Sequence, residues 1–159
     1  MLSELLTIFE HELKVLLASM LPVLEVRGAI PIGLALGMNV YHAAAVAYIG
    51  SALPVPVIIL AGRRIVEIIS RWKPVRRIAD RVISRTKGKY EKAYNKYGSW
   101  ALLIFVAIPL PGTGVWSGSL IASVLRLRLK WSVIAILVGN AIATAIIAAT
   151  GYGIQRMLN

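Results

Sequence analysis

The stretch Pro22-Val-Leu-Glu-Val-Arg-Gly-Ala-Ile-Pro31 decides the fold, because it places prolines, a glycine and two charges inside an apolar segment. A second interruption, Pro109-Leu-Pro-Gly-Thr-Gly114, lies in another apolar segment and carries no charge. Proline removes a backbone donor and clashes with the preceding helical turn, so neither segment is predicted to be one continuous helix. We therefore expect two broken apolar segments, at residues 15–37 and 99–124, each folded as a hairpin.

The rest of the chain is strongly apolar. Of its 159 residues, 58% are hydrophobic, and the runs 28–62, 97–125 and 131–155 contain no Asp, Glu, Lys or Arg. A helix of about 20 apolar residues crosses a bilayer, so each run is long enough to span one. These runs predict an integral membrane protein with continuous transmembrane helices at 41–62 and 131–152. Pro54 and Pro56 should kink the first of them.

Positive charge is concentrated between the two halves. The net charge is +11, and twelve of the eighteen Lys and Arg residues lie between Arg63 and Lys96. Apolar residues recur there at helical spacing, which predicts amphipathic cytoplasmic helices within a basic connector, 63–96, that lies on anionic lipid head groups. A solvated charged linker is the alternative, and nucleic acid is not expected as a partner. The candidate head-group contacts are Arg63, Arg64, Arg71, Arg76 and Arg77.

The amino-terminal segment, 1–14, has leucines on one side and acids on the other. This pattern is typical of an amphipathic helix in the membrane interface, although a plain extension of the next helix fits equally well. Its acids precede its first lysine, the reverse of a signal peptide, so no cleavable signal is expected.

The order of segments indicates an internal repeat: a broken segment and a clean span occur twice, around the connector. Placing Pro22 on Pro109 and Gly50 on Gly139 gives offsets of 87 and 89 residues. If the broken segments crossed the membrane fully, the basic loop holding Arg126, Arg128 and Lys130 would be exported, against the positive-inside rule. The predicted fold is therefore an all-α integral membrane protein, an inverted repeat of a re-entrant helical hairpin plus a transmembrane helix, with amphipathic cytoplasmic helices between the repeats.

The first hairpin tip holds the candidate chemistry. Glu25 and Arg27 are the only formal charges within the apolar segments, and ionisable residues at membrane depth are functional by default. Arg27 would hold an anionic substrate group, and Glu25 would take and release a proton. Residues two apart on a helix do not face each other, so their direct pairing requires a non-helical tip. A purely structural pair that locks the hairpin is the alternative.

The second tip offers backbone and hydroxyl groups. Its glycines allow amides to converge, and the half-helix beginning near Trp116 presents a positive dipole end, so both features favour anions. A glycine-rich break that serves packing alone is the alternative. With Glu25 and Arg27, the candidate substrate or proton site comprises Pro31, Pro109, Pro111, Gly112, Thr113, Gly114 and Ser117.

Enzyme chemistry finds little support in the sequence. There is no cysteine, and the seven acids and two histidines form no cluster suited to a metal or a phosphate. We expect no catalytic residues, no metal and no cofactor.

At these two tips the sequence resembles the small multidrug export protein family, prokaryotic membrane proteins of about this length. The likeness covers nearly the whole chain and rests on 24–31 with Gly33 and Gly37, on Tyr97-Gly-Ser-Trp-Ala101, and on 109–114. More distantly the chain is similar to the DedA superfamily, whose hairpin charges are implicated in lipid-carrier translocation and scrambling. That resemblance implies a functional role for Glu25 and Arg27, and the second tip departs from it by lacking an arginine.

Two classes of function follow. The first is a transporter or lipid translocase, dimeric and multi-pass in a prokaryotic plasma membrane, which moves an amphipathic or lipid-linked substrate by alternating exposure of the hairpins. The second is a scaffold that binds anionic lipids or partners through the connector.

Overall fold

The computed structural model describes residues 2–69 and 91–158, and every regular element in these two ranges is an α-helix. The first range holds four helices: α1 (Leu2–Met20), α2 (Glu25–Ala35), α3 (Val40–Ala52) and α4 (Val55–Ile69). The second holds three: α5 (Glu91–Ala107), α6 (Val115–Val124) and α7 (Leu129–Leu158).

Helices α1 and α2 form a helical hairpin that turns at residues 21–24. α1 is continuous from Leu2 to Met20 and includes the amino-terminal segment. The arms run antiparallel, because a Cβ on Gly33 would lie 3.2 Å from the side chain of Val15. Pro31 lies inside α2 rather than in the turn. It has no N–H, so the carbonyl of Arg27 lacks its helical donor.

Helices α3 and α4 form one apolar rod with a break at Leu53 and Pro54. Asn39 caps the start of α3, since its side chain accepts a 2.9 Å hydrogen bond from the Tyr41 amide. Residues Val40–Ile68 and Leu129–Gly153 are each long and apolar enough to cross a membrane. The helix α4 continues past residue 62 to Ile69, into the segment expected to be the basic connector.

Helices α5 and α6 form the second helical hairpin, and their turn covers residues 108–114. Gly118 of α6 packs on Val106 and Leu102 of α5, so these arms are also antiparallel. The open end of the hairpin is closed by contact between Gly98 and Leu127, since a Cβ on Gly98 would lie 3.0 Å from the Leu127 side chain.

Local geometry recurs at a separation of 89 residues. After α2, the Met38 amide donates to the Gly33 carbonyl at 2.9 Å, and after α6, the Leu127 amide donates to the Ala122 carbonyl at 3.0 Å. Each turn contains a residue with positive φ, Gly37 at 81° and Arg126 at 51°.

Helices α3 and α7 run antiparallel and cross near the end of α3 and the middle of α7. At the crossing, the Asn140 amide donates to the Ser51 hydroxyl at 2.8 Å. At one end, the rings of Tyr41 and Tyr152 are 6.3 Å apart. The same close packing occurs on both helices, because Gly50 lies against the Leu16 carbonyl and Gly139 against the Leu103 carbonyl.

The buried residues form two hydrophobic clusters, one beside each hairpin. One joins Val15 and Ile30 to α3, and the other joins Ile59 and Val106 to Ile136. Large apolar side chains also cover the outside of the bundle, among them Phe9, Val57, Ile68 and Ile104. A surface of this kind suits a hydrocarbon solvent rather than water.

Candidate functional site

Glu25 is the first residue of α2 and lies at the centre of the molecule. Its side chain is only 5% exposed. Its backbone adopts φ 47°, in the left-handed region that non-glycine residues rarely occupy. Backbone strain of this kind costs about 1–3 kcal/mol and is typical of functional sites. The strained turn directs the Glu25 carboxylate toward the second hairpin.

Arg27 pairs directly with Glu25, because the left-handed turn removes the helical geometry that would separate them. Its Nη1 donates to Glu25 Oε2 at 2.9 Å. Its Nη2 reaches the other hairpin, where it donates to the Ile108 carbonyl at 3.2 Å and also to the Thr113 carbonyl. One guanidinium therefore joins a carboxylate of the first tip to two carbonyls of the second.

The turn at 108–114 is organised around the Thr113 hydroxyl. This oxygen lies 2.6 Å from the Ile108 carbonyl and 2.9 Å from the Leu110 carbonyl, and it accepts from Arg27 Nη2 at 3.1 Å. The Leu110 amide also donates to it, at 3.2 Å. The turn thus presents a compact group of oxygens to the guanidinium.

Gly114 lets the Glu25 carboxylate reach the start of α6. A Cβ at this position would lie 1.7 Å from Glu25 Oε2, so a side chain here would displace the carboxylate. Glu25 Oε1 accepts from the Trp116 amide at 3.1 Å. The first amides of a helix have no partner within it, and a carboxylate there is also stabilised by the helix dipole. Glu25 therefore caps α6 from the other hairpin.

Trp116 makes a second link between the tips. Its indole Nε1 donates to the Met20 carbonyl at 3.0 Å, at the end of α1. The last carbonyls of a helix also lack internal partners. Each hairpin therefore caps an exposed helix end of the other.

These contacts give the site a defined chemistry. The carboxylate of Glu25 occupies the kind of position that binds phosphates and other anions, at a helix start and beside a guanidinium. Both charges are compensated, which is the condition for keeping ionisable groups within a membrane. No group of side chains suited to holding a metal ion occurs among the described residues.

The predicted site residues are only partly brought together. Glu25, Arg27, Thr113 and Gly114 form the contacts above. Pro109 is half-buried in the turn, whereas Pro111 and Gly112 are exposed, and Gly112 supplies the positive φ of 87°. Pro31 is exposed on α2, and Ser117 is half-buried on α6.

The candidate head-group residues divide at the edge of the described range. Arg63 donates through Nη2 to the Leu127 carbonyl, and Arg64 is exposed beside it on α4. Arg71, Arg76 and Arg77 lie outside the described residues.

Sequence reasoning missed Ser51 and Asn140, which are buried at the crossing of α3 and α7. A signal was present, because each follows directly after one of the matched glycines, Gly50 and Gly139. The side-chain amide of Asn140 also lies in a run without charged residues, where it requires a hydrogen-bond partner.

Comparison with known protein families identifies the family to which this chain is related. Residues 25–146, more than half of the chain, match the family described as "Putative small multi-drug export protein". No curated protein and no solved structure matched the chain. The family match and the two long apolar helices indicate a membrane protein. The matched range includes Glu25, Arg27, the turn at 108–114 and the crossing of α3 and α7, and on this basis the chain belongs to the small multi-drug export protein family.

Proposed function

We propose that the chain is a small transporter or lipid translocase that moves an anionic or amphipathic substrate past Glu25 and Arg27. The observation that carries the proposal is the Glu25 carboxylate, bound to the Trp116 amide and to the Arg27 guanidinium. Both partners are groups that bind anions. Glu25 therefore stands where the anionic group of a substrate would bind.

The proposed membrane placement is a pair of re-entrant hairpins that enter from opposite faces. At about 1.5 Å per residue, the 11 residues of α2 and the 10 of α6 reach about 15 Å, half the thickness of a hydrocarbon core of about 30 Å. Irregular backbone at that depth is tolerated where it is buried in protein or lines a wet cavity, and we propose that the exposed turn residues 21–23 and 110–112 line such a cavity.

Contacts at the open ends of the hairpins support this placement. Arg63, at the far end of the first span, bonds to the Leu127 carbonyl just after the second hairpin. His42, at the start of the first span, pairs with Glu12 of α1 at 2.9 Å. Each hairpin thus begins and ends on one side of the bundle. Because α3 and α7 are antiparallel, these sides are opposite.

The proposed mechanism is an exchange of anions at the start of α6. Protonation of Glu25 weakens its hold on the Trp116 amide and on Arg27, so an anionic substrate group takes over both contacts. Release of the proton restores the carboxylate and expels the substrate. Proton coupling follows from this competition, and the proposed movement that accompanies it is alternating exposure of the hairpins.

The proposed setting is the plasma membrane of a prokaryote, with anionic head groups against the basic end of α4. The family description names an export protein, which is a transporter rather than an enzyme. The scaffold alternative makes a different prediction: deletion of residues 70–90 would abolish function, and substitutions at the hairpin tips would leave it intact.

The test is transport by the purified chain in liposomes. The probes are phosphatidylglycerol and phosphatidylcholine, each carrying a nitrobenzoxadiazole label, with dithionite reduction reporting lipid translocation. Glu25→Gln and Arg27→Ala should each reduce the rate of the transported probe at least tenfold.

The matched control is the exposed ion pair of Glu10 and Lys14, whose charged atoms are 2.6 Å apart on α1. Glu10→Gln and Lys14→Ala remove the same kinds of charge from the surface and should leave the rate unchanged. Wild-type rates in the Glu25→Gln and Arg27→Ala proteins would refute the mechanism.

A further inference from the structure

An open groove lies between α3 and α7, on one side of their crossing. Its volume is about 590 Å³, within the range of small-molecule sites. Six alanines, three tyrosines and Thr144 make up its wall. The lining residues are Tyr41, Ala44, Ala45, Tyr48, Ala141, Thr144, Ala145, Ala148, Ala149 and Tyr152, of which the alanines at 141, 145 and 149 are exposed.

The groove is chemically apolar despite its hydroxyl groups. The Thr144 hydroxyl donates to the Asn140 carbonyl at 2.7 Å, within its own helix. The Tyr48 hydroxyl is directed to the Leu137 carbonyl, 3.4 Å away. An occupant therefore needs no polar group to satisfy this wall.

The two repeats differ in the size of the side chains at the positions that line the groove. Residues 89 positions apart occupy corresponding places, and five of the six groove alanines correspond to larger residues, whereas Ala141 corresponds to Ala52. Ala44 and Ala45 correspond to Val133 and Ile134, and Ala148 and Ala149 correspond to Ile59 and Leu60. In that half, Ile59 and Val133 belong to the packed core. Small side chains therefore leave this volume open where its counterpart is filled.

The dimensions of the groove match one leaflet of a bilayer. From Ala141 to Tyr152 the wall is about 16 Å long at about 1.5 Å per residue, and one leaflet holds about 15 Å of hydrocarbon. Its deep end lies at the Ser51–Asn140 hydrogen bond. Its outer end lies at Tyr41 and Tyr152, and tyrosine is typical of the membrane interface.

We propose that this groove binds a single acyl chain of a membrane lipid. The groove is apolar along its length and about as long as one leaflet is deep, which fits a single extended hydrocarbon chain. The inference rests on the membrane placement proposed above, and it specifies an acylated amphiphile as the ligand class.

The test uses phosphatidylglycerol with a diazirine near the end of one acyl chain, photolysed in liposomes containing the full chain. Labelled residues are assigned by mass spectrometry. We expect labelling concentrated on groove residues near the deep end, such as Tyr48 and Thr144. The variant Ala148→Ile with Ala149→Leu installs the residues of the other half and should reduce that labelling at least fivefold.

The matched control is Ile142→Phe, because Ile142 is exposed on α7 but does not line the groove. This substitution should leave labelling of the groove unchanged. Size-exclusion profiles and thermal unfolding must show that both variants are folded. If the double variant is not folded, the single variant Ala145→Leu is used instead, and the same loss of groove labelling is expected.

Three results would overturn the proposal. These are equal labelling of the wild-type protein and of the variant Ala148→Ile with Ala149→Leu, uniform labelling around α7, and cross-links between two copies through the groove. Transport distinguishes this proposal from the previous one. If the groove is labelled but the Glu25→Gln protein transports normally, the acyl-chain site is supported and the anion-exchange mechanism is refuted. If the groove is not labelled but Glu25→Gln loses transport, the mechanism is supported and the acyl-chain site is refuted.

Discussion

The amide of Asn140 donates a 2.8 Å hydrogen bond to the hydroxyl of Ser51, 89 residues earlier, where α3 and α7 cross. Both side chains are buried, and Ser51 also donates toward the Tyr48 carbonyl at 3.0 Å. Ser51 therefore keeps one partner when Asn140 is removed.

Replacing this asparagine should have a modest effect. Hydrogen bonds between membrane helices contribute about 0.6 kcal/mol on average and about 1.7 kcal/mol at most, so Asn140→Ala should destabilise the protein within that range. A double-mutant cycle with Ser51→Ala, read by unfolding in mixed micelles, isolates the pair. A coupling energy of zero would mean that the bond contributes nothing to the crossing.

Adding one methyl group at Gly114 should disrupt the site. The new Cβ would lie 1.7 Å from Glu25 Oε2, so Gly114→Ala must displace the carboxylate. Overpacking of this kind costs about 1–3 kcal/mol, and loss of the cap adds to it. The melting temperature and the rate of lipid translocation should both decline. Gly153→Ala is the control, because a Cβ on Gly153 meets nothing within 4 Å. Equal effects of the two substitutions would contradict the proposed contact.

Removing the indole donor of Trp116 should weaken the join between the hairpins. Trp116→Phe keeps a large aromatic ring and removes the donor to the part-buried Met20 carbonyl, and a hydrogen bond contributes about 0.5–1.5 kcal/mol to stability. The melting temperature measures this loss. Trp100→Phe alters an exposed tryptophan and should change it less. A melting temperature unchanged by Trp116→Phe would show that the Met20 carbonyl is satisfied in another way.

The sidedness of the hairpin ends is directly measurable, because the chain has no native cysteine. Single cysteines at Glu12 and Asn39 should react with an impermeant maleimide from one face of the membrane. Cysteines at Ser99 and Arg128 should react from the opposite face. If Ser99 and Arg128 were labelled from different faces, the second segment would cross the membrane and the re-entrant placement would be wrong.

Much of this architecture was accessible from the sequence, because proline and glycine act locally. They predicted where the apolar segments break, and charge-free runs predicted the two spans. The partners of Glu25 and Arg27 were not accessible, since the contacts to Thr113 and Trp116 join residues more than 80 positions apart. The groove was equally hidden, because it depends on how α3 and α7 diverge from their crossing.

The bond from Arg63 to the Leu127 carbonyl has a consequence for biogenesis. Arg63 leaves the ribosome 64 residues before its acceptor. During synthesis, its guanidinium must therefore use lipid phosphate or water until the second hairpin arrives. Docking of the second hairpin is then an exchange of ligands on this arginine, and the nascent first half carries an attachment point for the second.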